Sequence, residues 1–390
     1  MHINYTMHGT RRSGGTVTFL EIGKRLIKRG HRVTITCLDD HTLRMTSNGL
    51  RPNWELDSPI EYIRVEQRAH RFLRSGIRRL NSYGPLQRLL PELKYYAMAE
   101  LYKNIGGDML RQIPDCDVNV ATYFPTAFSV VLSEKGKVQF YHMQHYEPLF
   151  FNPKVDFGYS ELAKISYALP LSRIANCSWL QRTVKEKHGV DSTVINHAIR
   201  NEVFYPRPEV EKSERRRILC LGKTSPSMFW KGVQTLTDAL RIVSKKHPNI
   251  ELVMYGEERN PRRDFPFEYV LNPPSEKLAE LYCSSHIVIC PSWYESFPAP
   301  PLEAMACGVP VVTTSIGVED YAIDGKNALV VPARNPKAMA YAIDRLLSDE
   351  RLCEALVKEG LNTAKQFTWD KTADNVERLF EDALRTVRET

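Results

Sequence analysis

At 390 residues, 43% hydrophobic and 25% charged, the chain has an ordinary globular composition; it is too long for one typical hydrophobic core and divides naturally into two domains of nearly 200 residues. Its eight cysteines, Cys37, Cys116, Cys177, Cys220, Cys283, Cys290, Cys307 and Cys353, contain no C-x-x-C pair, which argues against a disulfide framework or a zinc site and predicts buried, reduced thiols. The N-terminus lacks the basic and apolar regions of a signal peptide, and no apolar run approaches the roughly 20 residues needed to span a bilayer, so the expectation is a cytoplasmic protein.

The net charge of +7 is unevenly spread: residues 1–200 hold 28 Lys+Arg against 18 Asp+Glu, and residues 201–390 hold 25 against 28. In chain order, the alternation of Ile3, Tyr5 and Met7 predicts a strand over residues 2–7, then a helix from about Gly15 to Arg29, Gly30 as its cap, and a strand from His31 to Leu38. The turn before that helix is Ser13-Gly14-Gly15-Thr16. Unsatisfied N–H groups at a helix start favour an anion, and glycine lets a phosphate approach the backbone. Residues 64–88 follow with seven arginines (Arg64, Arg68, Arg71, Arg74, Arg78, Arg79, Arg88) and one acid, Glu66, interleaved with Phe72, Leu73, Ile77 and Leu80. Such a segment suits an anionic membrane surface or an acidic acceptor.

Asp115-Cys116-Asp117 has the look of a D-x-D metal element, but Pro114 before it and an apolar run after it read as a turn into a strand, and two carboxylates make a poor site for a hard cation. Leu38-Asp39-Asp40 is set aside on the same grounds, and no metal site is assigned. VNVATYF from Val118, KVQFYHMQHYEP from Lys137, and two further strand-like runs continue an alternating pattern up to Arg200. His142 and His145 lie at the end of the second of these runs, and Glu147 is a weaker candidate for orienting a ligand or a histidine. The proline-rich, charged stretch from Asn201 to Arg217 marks a boundary. The expected domains are residues 1–200, a linker at 201–215, and residues 216–390, with the last helix free to pack back on the first domain.

The second half restarts with a strand ending at Gly222-Lys223, then a loop and a helix whose Val233, Leu236, Leu240 and Val243 share one face, with Lys231 and Gly232 at its start. A lysine there adds a point charge to the amino-terminal helix dipole and suits a bound anion. Ser284 to Cys290 reads as a buried strand. It is followed by a loop carrying Glu295, a helix with Pro300, Pro301 and Glu303 in its first turn, Gly308 as its cap, and a strand from Val309 to Thr314. Both carboxylates then fall at the carboxyl edge of a parallel sheet, where open α/β sheets bind ligands.

These residues, Glu295, seven residues, Glu303 and then AMACGVPVV, resemble the C-terminal domain of the retaining GT-B glycosyltransferases of glycosyltransferase family 4. The resemblance covers essentially the whole chain and is strongest from Ile218 to Pro332. It implies an α/β GT-B fold, two Rossmann-like doubly wound domains facing a central cleft, with acceptor contacts in the first and nucleotide-sugar contacts in the second. It implies that Glu303 holds the donor ribose hydroxyls, that Glu295 faces the donor sugar, and that Lys223, Lys231, Phe297, Ala299, Gly14 and Gly15 lie around the donor. A histidine near the donor sugar is His142 or His145, with His145 nearer the loop and preferred. Two departures stand out: Lys223 replaces the usual arginine, losing its bidentate fork, and Pro298 replaces a common glycine, removing an N–H. The expected activity is metal-independent, retaining transfer of a sugar from a nucleoside diphosphate donor such as a UDP- or GDP-sugar to an acceptor hydroxyl, in polysaccharide or glycolipid assembly. A glycan or lipid-linked acceptor is implied, with peripheral contact at the inner membrane face through residues 64–88 and no role for nucleic acid. A nucleotide-sugar epimerase, a phosphorylase or a non-catalytic nucleotide-sugar-binding protein would share the architecture.

Overall fold

The computed structural model describes residues 1–10, 13–38, 43–47, 49–55, 57–65, 110–151, 157–259, 261 and 265–389. The arginine-rich segment beyond Val65 and the Asp39-Asp40 pair lie outside the described residues.

The chain forms two compact units, the first made of Met1–Asn176, Leu180–Ile195 and Asp370–Thr390, the second of Cys177–Trp179 and Asn196–Trp369. The first carries a seven-stranded parallel sheet in the order β5-β2-β1-β6-β7-β8-β9. Its strands are β1 (His2–Met7), β2 (Arg32–Leu38), β5 (Glu61–Val65), β6 (Val118–Ala121), β7 (Val138–Met143), β8 (Ser172–Ala175) and β9 (Thr193–Val194), while β3 (Leu43–Thr46) and β4 (Gly49–Pro52) form a separate antiparallel pair. Helix α1 (Gly14–Lys28) begins where Ser13 Oγ accepts the Thr16 N–H at 3.2 Å, and its apolar face buries Phe19, Leu20, Ile22 and Leu26. Helices α2 (Phe124–Ser133), α3 (Phe157–Ser166) and α4 (Ser178–His188) follow.

The second unit carries a six-stranded parallel sheet in the order β12-β11-β10-β13-β14-β15. Its strands are β10 (Arg216–Leu221), β11 (Ile250–Gly256), β12 (Glu268–Leu271), β13 (Ile287–Cys290), β14 (Val311–Thr314) and β15 (Leu329–Val331). The helices are α5 (Val233–Val243), α6 (Ser275–Cys283), α7 (Ala299–Ala306), α8 (Pro336–Ser348) and α9 (Glu350–Ala364). Ile218, Leu240, Met254, Ile289, Val312 and Ile343 meet in one buried core, as expected for strands covered on both faces. Strand β13 is shorter than the apolar run that predicts it. Ser284 and Ser285 instead finish α6, their hydroxyls donating to the Leu281 carbonyl at 3.2 and 2.6 Å. Side-chain bonds of this kind compete with a strand ladder.

The last helix, α10 (Trp369–Glu389), folds onto the first unit from Asp370 onward. Arg29 reaches Asp374 and Glu377 at 2.6 Å each, and His31 reaches Glu377 at 2.6 Å. Phe380 is fully buried with its ring 4.9 Å from Phe140. None of the eight cysteines is in a disulfide. No helix among the described residues is long and apolar enough to cross a membrane.

Candidate functional site

In the second sheet the chain runs outward one way from β10 to β11 and β12, and the other way from β13 to β14 and β15. Neighbouring strands β10 and β13 therefore flank the point where the order reverses, and the crevice at their carboxyl ends is where such sheets take ligands. The loop after β10 ends in a short 3-10 helix, Pro226–Lys231, and turns at Gly232, whose φ is 68°. A Cβ there would stand 2.0 Å from the Pro291 carbonyl oxygen, so only glycine lets this loop meet the one after β13. Trp293 N–H donates to the Trp230 carbonyl at 2.7 Å across the same junction.

Lys231 and Glu295 meet at this junction, Nζ to Oε1 at 2.5 Å. Burial works against the Lys231 charge, but the Glu295 carboxylate outweighs it and holds the ammonium above its ordinary range. Glu295 is braced from the other side by Gly317, whose φ is 83° and whose added Cβ would stand 2.2 Å from the Glu295 carbonyl oxygen. Two residues on, Phe297 has a φ of 116°, a conformation that costs a bulky residue about 1–3 kcal/mol unless its surroundings over-determine it. Here they do: its ring is buried against Tyr321, Phe367 and His197, at centroid distances of 5.1, 5.7 and 5.9 Å. Tyr321 Oη also donates to the Pro298 carbonyl at 2.7 Å.

Helix α7 starts at Ala299, with Pro298 as its N-cap. Pro298, Pro300 and Pro301 have no N–H, so Ala299 carries the one donor that the start of this helix leaves unpaired. Glu303 is the fifth residue of the helix, beyond the first turn in which the sequence pattern expects it, because the helix begins one residue before the proline pair. Its Oε2 accepts from Tyr282 Oη at 2.9 Å, and Tyr282 Oη in turn lies 2.7 Å from Tyr255 Oη. Gly308, at a φ of 72°, follows the helix end.

Lys223, just after β10, pairs with Glu257 at 3.3 Å. The next two residues fasten to Glu258, which accepts from Thr224 N–H at 2.8 Å, Thr224 Oγ1 at 2.6 Å and Ser225 N–H at 2.9 Å. Burial pushes the Glu258 pKa up, but these bonds outweigh it and keep the carboxyl below its ordinary range. Tyr269 joins the same ends, donating to the Gly222 carbonyl at 3.2 Å and accepting the Glu258 N–H at 3.1 Å. Glu258, Tyr269, Tyr282, Tyr255 and Gly317 are absent from the sequence-based site. Each acts on a partner at least 11 residues away, which local pattern does not disclose.

The remaining candidates belong to the first unit. Gly14 opens α1, and a Cβ on Gly15 would stand 3.3 Å from Gln144 Oε1. His145 is buried beyond β7 with its ring 4.3 Å from that of Phe150. His142 lies within β7, fully buried and edge-on to Phe19 at 5.2 Å, and burial drops its pKa to about 3. Glu147 is buried too, accepting from Tyr141 Oη at 2.8 Å and from Phe124 N–H at 3.0 Å. Burial pushes its pKa up to about 8. Asp115 and Asp117 pair with Lys135 and Lys137 at 2.5 and 2.7 Å.

The chain has two Rossmann-like units with parallel sheets, and its superposition over nearly its whole length on solved glycosyltransferases gives it the GT-B fold. Residues 215–349 match the family Glycosyl transferases group 1. The chain is similar to a D-inositol 3-phosphate glycosyltransferase of Streptomyces bingchenggensis, 34% identical over 119 residues, which is 30% of this chain and 26% of the relative. A second relative of that name, from Paenarthrobacter aurescens, is 32% identical over 158 residues, 37% of this chain and 39% of the relative. The chain thus spans well under half the length of either. Among solved structures, a sucrose-phosphate synthase from Thermosynechococcus elongatus superposes with a TM-score of 0.74 at 16% identity, covering 99% of both chains. HepE of Anabaena, solved in complex with UDP and glucose, gives 0.69 at 15% identity, covering 98% of this chain and all of that one. Likenesses at these identities speak to the fold.

Proposed function

We propose that the chain is a retaining, metal-independent glycosyltransferase that moves a sugar from a nucleoside diphosphate donor to an acceptor hydroxyl. The observation that carries this reading is the Lys231–Glu295 pair at the carboxyl ends of β10 and β13, close in the chain to the strained Phe297 backbone and to Glu303. Lys231 and Lys223 balance the charge that builds on the leaving diphosphate, and the Ala299 N–H at the start of α7 adds a further donor. Glu295 receives hydroxyls of the donor sugar, and Glu303 receives those of the ribose. His145 and the Gly14-Gly15 turn are the first unit's own candidates for binding the nucleotide sugar.

In the reaction, the bond from the anomeric carbon to the diphosphate oxygen breaks while a bond to the acceptor oxygen forms on the same face, and the acceptor proton passes to a diphosphate oxygen. The protein then has only to orient the partners and stabilise charge. Acceptor contacts fall to the first unit, and the basic excess of residues 1–200 favours an anionic acceptor such as a lipid-linked sugar.

A thermal-shift panel of UDP-, GDP-, ADP- and dTDP-sugars identifies the base, since ligand at 100 times its Kd stabilises by about 2.7 kcal/mol. With that donor, free nucleoside diphosphate is expected to appear only when an acceptor is present and to appear equally after exhaustive EDTA treatment. NMR of the product is expected to show the donor's anomeric configuration. Inverted product, or turnover that EDTA abolishes and manganese restores, refutes the corresponding part of the reading.

A further inference from the structure

Glu303 is a half-buried carboxylate on a helix of eight residues, and a side chain with three rotatable bonds does not hold one direction by itself. One constraint on it comes from a neighbouring helix. Tyr282, in α6, has no exposed surface and donates its hydroxyl proton to Glu303 Oε2 at 2.9 Å. Having spent its one proton there, the Tyr282 hydroxyl can only accept from Tyr255 Oη at 2.7 Å, which fixes the direction of the chain as Tyr255 to Tyr282 to Glu303. Both phenols are buried, and their rings meet at 77° with centroids 6.1 Å apart. Tyr282 is edge-on to Phe204 as well, at 5.9 Å and 74°. Packing therefore fixes the ring positions before the hydroxyls act. Burial first, and the Glu303 charge second, hold the Tyr282 hydroxyl well above its ordinary pKa, so it remains a donor throughout the physiological range.

We propose that Tyr282, backed by Tyr255, is a positioning residue that aims the Glu303 carboxylate and so sets how strongly the protein selects ribose hydroxyls on its nucleotide. The proposal rests on the ribose role given to Glu303 above. A fixed acceptor discriminates against a ligand lacking the matching hydroxyl, whereas a carboxylate that swings can turn toward water at little cost. In a chain of oriented hydrogen bonds each donor also polarises the next, so the outer phenol strengthens the inner contact.

The test compares the nucleoside diphosphate that binds best among UDP, GDP and ADP with its 2′,3′-dideoxy analogue, by calorimetry on the full chain. Tyr282→Phe keeps the ring and removes the donor. It is expected to weaken binding of the ribonucleotide about five-fold while leaving that of the dideoxy analogue unchanged, and so to lower the selectivity ratio. Tyr255→Phe keeps the direct donor and is expected to lower the ratio less, by about two-fold. Glu303→Ala tests the ribose role apart from the tyrosine relay. If Glu303→Ala abolishes selectivity while both tyrosine variants keep the wild-type ratio, the relay is refuted and the ribose role stands. If Glu303→Ala also leaves the ratio unchanged, the ribose role itself is refuted. Equal weakening of both nucleotides by Tyr282→Phe would mark Tyr282 as a packing residue and overturn the proposal. Should Tyr282→Phe fail to fold, the ratio in Tyr255→Phe decides.

Discussion

Lys231 and Glu295 stand 64 residues apart in the chain and 2.5 Å apart in space, each side chain less than one-fifth exposed. The pair joins the two loops that leave β10 and β13, so the same contact that organises the loops also places a cation at the strand-order reversal.

Removing one member of such a pair leaves the other charge poorly solvated, which costs more than the pair itself is worth. Lys231→Met and Glu295→Gln are each expected to lower stability, and the double variant is expected to lose less than the sum, with a coupling of about 1–3 kcal/mol by urea denaturation. Lys231→Met should also lower kcat about 100-fold or more, because diphosphate charge grows during bond cleavage. Additive stability losses would show that the two side chains do not act together, and wild-type kcat would remove Lys231 from the reaction.

Gly317 provides a test that touches no charged group. Its φ of 83°, and the 2.2 Å that would separate a Cβ at this position from the Glu295 carbonyl oxygen, leave room for neither a side chain nor an ordinary backbone conformation. Gly317→Ala is expected to cost about 2 kcal/mol or more in stability and to lower activity further than any loss of folded protein explains. A Gly317→Ala protein with wild-type midpoint and rate would show that the loop is free to move aside.

Much of this arrangement is legible in the sequence, and the reasons differ by element. Runs such as IVIC and VVTT are strands because both faces of their sheet are covered, so a continuous apolar stretch suffices to find them. The proline pair marks the start of α7 to within one residue, and that single residue moves Glu303 from the first turn to the second. The Lys231–Glu295 contact is not legible, since it depends on Gly232 passing against Pro291. Nor is the Tyr255–Tyr282–Glu303 chain, where β11, α6 and α7 each contribute one residue. His142 and His145 look alike in sequence, and only the strand register separates them: His142 pairs with Ile174 inside the sheet, and His145 lies past its end.

The basic first half makes its own prediction. Each basic residue near an anionic surface contributes about 1 kcal/mol, so three or four engaged arginines would recruit the protein measurably. Wild-type protein is expected to co-sediment with liposomes containing anionic lipid and to release with added salt. A variant with Arg71, Arg74, Arg78 and Arg79 changed to Gln is expected to remain in solution. Equal failure of both proteins to bind would point instead to a soluble acceptor.

Glu147 predicts how stability depends on pH. Its pKa rises from an ordinary 4.5 to about 8, because burial disfavours the charged form more than the bonds from Tyr141 and Phe124 favour it. Tyr123, Tyr141 and Tyr167 around it are all shifted upward by burial, so they stay neutral through this range. Between pH 4.5 and 8 the folded chain therefore keeps a proton that the unfolded chain has released. The sign follows: this group makes stability fall as pH rises, by at most about 1.4 kcal/mol per pH unit, and the fall levels off above about pH 8. Glu147→Gln retains an oxygen to accept from Tyr141 and Phe124 but cannot titrate. Its unfolding midpoint is expected to decline less than that of the wild type between about pH 5 and about pH 8.5, so the gap between the two proteins widens in the variant's favour. Parallel pH profiles would show that Glu147 is ionised in the folded chain at neutral pH.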